Sequence, residues 1–326
     1  MAGNIRTRII VIALTGLMAT ATLVVARDKT SPEEWLQKMS SAVQTMDFAG
    51  TVIRRQNGDV QPLKIVHKNI DGVINERIVV QEGNGLEVIR VGEEVHCILP
   101  DRQTILIEHW ENASTLFATL PSSTIDPGAQ YDVLILARDQ RVAGRSVIKL
   151  AIRPNDAYRF EHRFWLDQQT GFPLQTELID LEGAVIDQLK FVDIRIDTHI
   201  NAQLLAPSMS LDNFTWYTDP GKNRQERIQI DTDWVSDKLP AGFKVESTSE
   251  EMFDTSDRAT THIVFGDGMA SVSVFISEMQ ENEIRESAQR GASNSFSTEI
   301  DGYQITAVGE VPTETVQLIA KSMRQR

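Results

Sequence analysis

Between residues 48 and 196 the chain is a succession of short apolar runs cut by turn residues, and this pattern confines the fold more than any other feature. Turn residues at 57–59, 69–72 and 82–85 separate runs at 73–80 and 86–91, as expected of strands joined by tight hairpins. Runs at 95–99 and 104–109 flank Pro100, Asp101 and Arg102, and strand signals return at 131–137, 146–153, 158–167, 173–181 and 184–196. The intervening stretch 112–129 is less regular and reads as a short helix or a mobile loop. About eleven strands result, nearly all linked closely enough to be antiparallel. A meander of that length curls or closes, because flat open sheets of that size are uncommon.

One helix precedes the strands. Ser31 reads as its cap, Pro32 as its first residue and Glu34 as the second half of a capping box. Trp35, Leu36, Met39, Val43 and Met46 then recur at helical spacing and form one apolar stripe. In the run 158–167, Tyr158, Phe160, Phe164 and Leu166 share one face, while Arg159, Glu161, Arg163 and Asp167 share the other with Trp165. A sheet with one apolar face and a single apolar helix predicts a half-open antiparallel β-barrel wrapped around that helix. A filled core and a ligand space inside it are both compatible with this pattern.

Residues 201–226 carry Pro207, Pro220, Gly221 and mixed polar residues, and read as a linker. Strand signals follow at 243–250, 262–265, 270–276, 292–299 and 303–308, and Pro312 and Thr313 open a final helix. Lys321, Arg324 and Arg326 gather at that helix's carboxyl end, where the dipole favours cations. The expected division is therefore a leader over 1–26, a large domain over 27–200, a linker over 201–228 and a smaller α+β domain over 229–326.

The leader is expected from Arg6 and Arg8 ahead of an apolar run at 9–25, with small residues at 24–26. An uncleaved anchor competes with cleavage, since the run approaches the roughly 20 residues that span a bilayer. Loss of Arg6 and Arg8 leaves 30 basic against 46 acidic residues, a net charge of −16 against −14 for the whole chain of 326. Such acidity excludes a nucleic-acid binder, which needs surplus Lys and Arg to displace counterions. The one cysteine, Cys97, rules out an internal disulfide and any multi-cysteine zinc site. Within the apolar run 95–99 it reads as a buried, inert thiol.

No catalytic constellation emerges, and neither a metal nor a cofactor is expected. His67, His96, His109, His162, His199 and His262 lack ligand spacing, and neither a nucleophile elbow nor a phosphate loop is present. A binding protein is the expectation, not an enzyme.

Two stretches, 141–145 (RVAGR) with 153–160 (RPNDAYRF) and 164–174 (FWLDQQTGFPL), resemble hallmarks of the MucB/RseB family of periplasmic regulators of envelope-stress sigma factors. Residues 239–243 (LPAGF), 267–275 (DGMASVSVF) and 308–312 (VGEVP) agree with that family in its second domain. The resemblance implies a large domain similar to the lipoprotein carriers LolA and LppX, joined to a smaller one. It further implies a periplasmic protein that binds the periplasmic region of a MucA/RseA-like transmembrane anti-sigma factor and shields it from the initiating protease. Acyl-chain signals such as lipopolysaccharide or misplaced lipoprotein would release that hold. A homo-oligomer stays open.

Candidate lipid-binding residues are Trp35, Leu36, Met39, Phe160 and Phe164, for which core packing is the competing explanation. Candidate partner contacts are Phe275, out of phase with Val272, Val274 and Ile276, together with Asp267 and Gly268, which also read as a hairpin turn. Trp165 on its charged face marks either a contact surface or a ring covered by the Arg159 and Arg163 stems. The alternative from another class is a lipid or lipoprotein carrier, against which the extra second domain argues. A periplasmic hydrolase has no residues to support it.

Overall fold

The computed structural model describes residues 30–56, 58–109, 127–196, 199–218, 231–252, 259–279 and 287–326. The expected leader over 1–26 and residues 112–126 lie outside the described residues. Among the described residues no helix is long and apolar enough to cross a membrane.

Helix α1 (Pro32–Thr45) starts as its sequence requires. The Glu34 amide donates to Ser31 Oγ and the Ser31 amide donates back to Glu34 Oε2, closing the capping box. Six strands follow: β1 (Phe48–Gln56), β2 (Asp59–Ile70), β3 (Val73–Val80), β4 (Glu87–Val91), β5 (Glu94–Leu99) and β6 (Thr104–His109). After the one-turn helix α2 (Pro127–Gln130) come β7 (Tyr131–Val142), β8 (Arg145–Pro154), β9 (Glu161–Asp167), β10 (Pro173–Ile179) and β11 (Val185–Ile196). A short β12 (Thr215–Thr218) completes a twelve-stranded sheet.

Strand β1 sits mid-sheet, paired antiparallel to both β2 and β11, so the chain runs outward to β6 on one side and to β7 on the other. The sheet does not close, for β7 and β12 are its two edges. It does curl, since β7 and β11 touch although three strands separate them. The stripe on α1 fills the hollow in two places. Trp35 and Met39 pack with Ile148, Leu150, Phe164 and Leu166, whereas Ala42 packs in a second cluster with Phe48, Ile65, Phe172 and Phe191. The half-open barrel around a helix is thus the observed architecture.

The expected strand at 158–167 begins only at Glu161, because residues 158–160 turn away to meet the second sheet. Phe160 therefore leaves the face it was expected to share with Phe164 and packs with Leu178 and Ala292. Cys97 is half-buried, not buried, and its cross-strand neighbour Leu106 is exposed. Trp165 is covered by Lys149, whose ammonium lies 4.4 Å from the ring centre, and by Gln140, which accepts its indole N–H at 2.6 Å, in place of the arginine stems.

Ile200, at the end of the large domain, and residues 201–218 of the stretch expected as a linker are stitched to the large sheet. Ile200 packs on Ala49 and Val66, and Lys68 donates to its carbonyl. Ser208 donates to the fully buried Glu87, which also pairs with Arg77. Strand β12 then lies parallel to β6, the one parallel pairing among the described residues. Residues 219–230 are outside the described set.

The second sheet carries β14 (Lys244–Met252), β15 (Ala259–Gly266), β16 (Ser271–Glu278), β17 (Ser287–Arg290), β18 (Ser293–Ile300) and β19 (Tyr303–Gly309), preceded by β13 (Trp234–Ser236). Helix α3 (Thr313–Lys321) covers one face, with Val316 and Ile319 packed on Val272, Val274 and Ile305. The chain ends in β20 (Met323–Gln325), which pairs with β13. Arg324 accordingly leaves the helix end where it was expected and pairs with Asp237 at 2.7 Å.

Gly50 marks a close backbone approach in the large sheet. A β-bulge between Thr51 and Val52 brings β11 so close that a Cβ on Gly50 would collide with the Asp193 carbonyl oxygen. Gly50→Ala should therefore lower stability by about 2–3 kcal/mol. Urea unfolding followed by tryptophan fluorescence measures this, and an unchanged midpoint would refute the close-approach argument.

Candidate functional site

The two sheets meet around one guanidinium. Arg159 lies in the turn between β8 and β9, and its side chain is 1 % exposed. Its Nε–H donates to Asp267 Oδ2 at 2.6 Å, and its terminal nitrogens donate to Asp156 and to the Ala241 carbonyl. The guanidinium carbon lies 4.9 Å from the Phe243 ring centre and 5.4 Å from that of Tyr131, within reach of both π faces. Asp267, Ala241 and Phe243 all belong to the second unit; Arg159, Asp156 and Tyr131 belong to the first.

Asp267 is equally engaged. Its Oδ2 accepts the Tyr131 hydroxyl at 2.8 Å as well as Arg159, and its Oδ1 accepts the amides of Met269 and Ala270 at 2.9 Å each. Burial pushes this carboxyl up, but the Ala270 and Met269 amides, Arg159 and Tyr131 outweigh it and hold the group below its ordinary value. Burial, reinforced by the Asp267 charge, raises the Tyr131 hydroxyl well above its usual range, so it stays a donor. Both charges are removed from water, which is tolerable only because every polar atom of the pair is bonded. Loss of Arg159 leaves the buried Asp267 carboxylate without a cation, at a cost of about 3–5 kcal/mol, whereas loss of Asp267 leaves Arg159 with Asp156 alone.

Further contacts flank this latch. Thr315, fully buried at the start of α3, donates to the Tyr158 carbonyl at 2.8 Å, and Ala292 packs on Phe160. Gly242 holds φ at +84°, a left-handed conformation that calls for glycine, and its Cα faces the Gln130 side chain. Met269 reaches across to the cluster that contains Trp35, Met39 and Phe164.

A cavity of about 420 Å³ opens beside the latch. His162 of the large sheet lines it from one side, and Met269, Ser273, Phe275, Val308 and Glu310 of the second unit line it from the other. Phe275 stacks on His262 with ring centres 4.4 Å apart. Burial pushes the His162 imidazole down to about 4, against the opposing pull of the Asp267 charge. Burial, followed by the Asp187 charge, raises the Glu310 carboxyl.

Of the lipid-binding candidates, Trp35, Met39 and Phe164 are in one cluster with Leu36 at its margin, and Phe160 lies apart. Of the partner-binding candidates, Phe275 faces the cavity, whereas Gly268 forms the exposed tip of the loop between β15 and β16. Asp267 is internal, its side chain 4 % exposed and engaged by Arg159 and Tyr131. Arg159 and Tyr131 carried no functional expectation. The only sequence signal for Arg159 is an arginine between two aromatic residues in a turn, and nothing in the spacing links it to a residue 108 positions away. No group of three His, Cys, Asp or Glu able to hold a metal occurs among the described residues.

The MucB/RseB N-terminal domain family matches residues 31–209, and the MucB/RseB C-terminal domain family matches residues 229–324. The chain is 28 % identical over 330 residues to the Sigma factor AlgU regulatory protein MucB of Pseudomonas aeruginosa, covering 98 % of both chains. It is 22 % identical to the Sigma-E factor regulatory protein RseB of Haemophilus influenzae, covering 93 % of this chain and 94 % of that one. In fold it is similar to MucB in the Pseudomonas aeruginosa MucA/MucB complex, with a TM-score of 0.71 and 24 % identity over 90 % of this chain and 99 % of that one. Against a further structure of MucB the TM-score is 0.60, at 26 % identity over 90 % of this chain and 98 % of that one.

Folding holds His162 neutral. The unfolded chain takes up a proton on this residue below about pH 6.5, which the folded chain refuses until about pH 4, so stability falls on acidification across that window. Between pH 7 and pH 4.5 this one group should remove about 2–3 kcal/mol. His162→Gln should lose correspondingly less stability over the same interval in urea titrations, and equal losses in both proteins would refute the assignment.

Proposed function

The chain belongs to the MucB/RseB family, and on that premise we propose that it is a periplasmic regulator that holds an anti-sigma factor. Its partner is the periplasmic region of a transmembrane, MucA/RseA-like anti-sigma factor, kept from the protease that makes the first cut. Lipid-type stress signals, lipopolysaccharide or misplaced lipoprotein, release the hold. The domain over 27–200 senses the lipid and the domain over 229–326 grips the partner, with 201–228 between them. The leader over 1–26 directs export.

The observation that carries this reading is that both family domains lie on one chain, in order, and account for nearly all of it after residue 30. The relatives it matches end to end bear the names of sigma-factor regulatory proteins. Physics adds two arguments. An acyl chain that binds better to one arrangement of the domains must weaken a partner that prefers the other. A chain of charge −16 without its leader is repelled by anionic membrane surfaces, so a membrane-anchored partner is what keeps it close. Trp35, Leu36, Met39 and Phe164 are the acyl-chain contacts in this scheme, and Phe275, beside the cavity, is a partner contact.

The test is affinity capture. The immobilised mature chain, incubated with detergent-solubilised membranes of its own source, should retain a single-span anti-sigma factor. The purified periplasmic segment of that factor should be cut more slowly by its initiating protease when the chain is present, and lipopolysaccharide should restore cutting. Failure to retain such a factor, together with passage of bound lipid to an acceptor protein, would replace this reading with that of a lipid carrier.

A further inference from the structure

Met269 is where the latch and the apolar cluster meet. It sits two residues beyond Asp267 in the connection between β15 and β16, and its side chain packs onto the cluster of Trp35 and Met39 from α1 and Phe164 from the large sheet. Its amide, with that of Ala270, donates to Asp267 Oδ1 at 2.9 Å. The carboxylate is thereby fixed to the backbone that carries Met269, so neither moves without the other. Tyr131 supplies a second link, since its ring belongs to the same cluster and its hydroxyl donates to Asp267. One short loop therefore bears both an apolar plug for the large sheet and the anionic half of the latch.

The geometry points to a coupling device: Met269 is a resident plug in the site a linear alkyl chain enters, and seating that chain expels Met269, draws Asp267 off Arg159 and frees the two sheets from each other. This inference rests on the lipid-sensing reading above and adds the element that transmits the signal. Methionine suits the role because its unbranched, polarizable side chain occupies the space of a short alkyl segment. A chain that replaces it fills the same volume, so the cluster keeps its packing while the loop loses its seat. The response is two-state. A half-broken latch would strand Asp267, 4 % exposed, as a buried carboxylate without its cation, and would leave Arg159, 1 % exposed, with Asp156 alone. The alkyl chain shifts the balance only by as much as it prefers the open arrangement.

The experiment uses the full mature chain in a Cys97→Ser background, with Glu182→Cys and Ser287→Cys spin-labelled, one exposed position on each sheet. Palmitate is the probe, its binding measured by equilibrium dialysis and the inter-label distance by pulsed electron resonance. Palmitate should bind the otherwise unaltered protein and raise a second, longer distance population. Asp267→Asn should show that population without palmitate. Tyr131→Phe, a milder change, should enlarge it about fivefold. Met269→Ala should bind palmitate about tenfold more tightly, yet palmitate should no longer lengthen the distance. Palmitate binding with an unchanged distance would overturn the coupling while leaving lipid sensing intact. No palmitate binding to any variant would overturn lipid sensing and the coupling together. Loss of palmitate binding in Met269→Ala would make Met269 part of the site wall and overturn its role as plug. Unaltered distances in both Asp267→Asn and Tyr131→Phe would show that the latch does not hold the sheets.

Discussion

A guanidinium buried between two sheets must have its charge answered on every side, and in this chain that demand sets how the two units meet. Arg159 finds Asp156 within its own turn, Asp267 and the Ala241 carbonyl across the boundary, and two aromatic faces beside it. Asp156, Asp267 and Ala241 come from three different loops, so satisfying all of them fixes those loops at once. Hydrophobic contact between the sheets would tolerate sliding; a buried ion pair with four directional bonds to its carboxylate does not. Thr315 follows from the same constraint, because close approach of the second unit needs a donor to the Tyr158 carbonyl there.

The large sheet has its own constraint. Twelve strands cannot stay flat, and the single stripe of α1 gives the curl something to close around. Because the sheet remains open, the helix fills the hollow in two separate clusters, and the one containing Trp35 faces the second unit. Met269 enters there, so the packing of the hollow and the joining of the sheets are parts of one problem. The stretch 199–218 serves the opposite side, where Ile200 covers Ala49 and Val66 and β12 adds to the far edge.

Much of the fold was legible in local signals. The capping box at Ser31 and Glu34 and the hairpin turns at residues 69–72 and 82–85 are set by neighbours in sequence, and each appears where it was expected. Strands such as β12, β13, β17 and β20 were not legible, being short and defined only by a distant partner. The candidate site was half legible: Phe164 and Met39 announce an apolar cluster, and Asp267 and Gly268 announce a turn. That the turn's carboxylate answers Arg159 is a pairing across 108 residues, with no periodicity to betray it.

By itself the sequence determined the element types, the antiparallel meander, the helix that fills it and the family to which it belongs, since all of these are carried by short-range patterns and contiguous motifs. Tertiary structure alone decided which face Phe160 would take, what covers Trp165, how residues 201–218 bind to the large sheet, and that Asp267 answers Arg159. Those outcomes depend on close approach between loops far apart in the chain. There the cost of leaving one charge or one amide unpaired outweighs local preference, and local preference is all that a linear reading can measure.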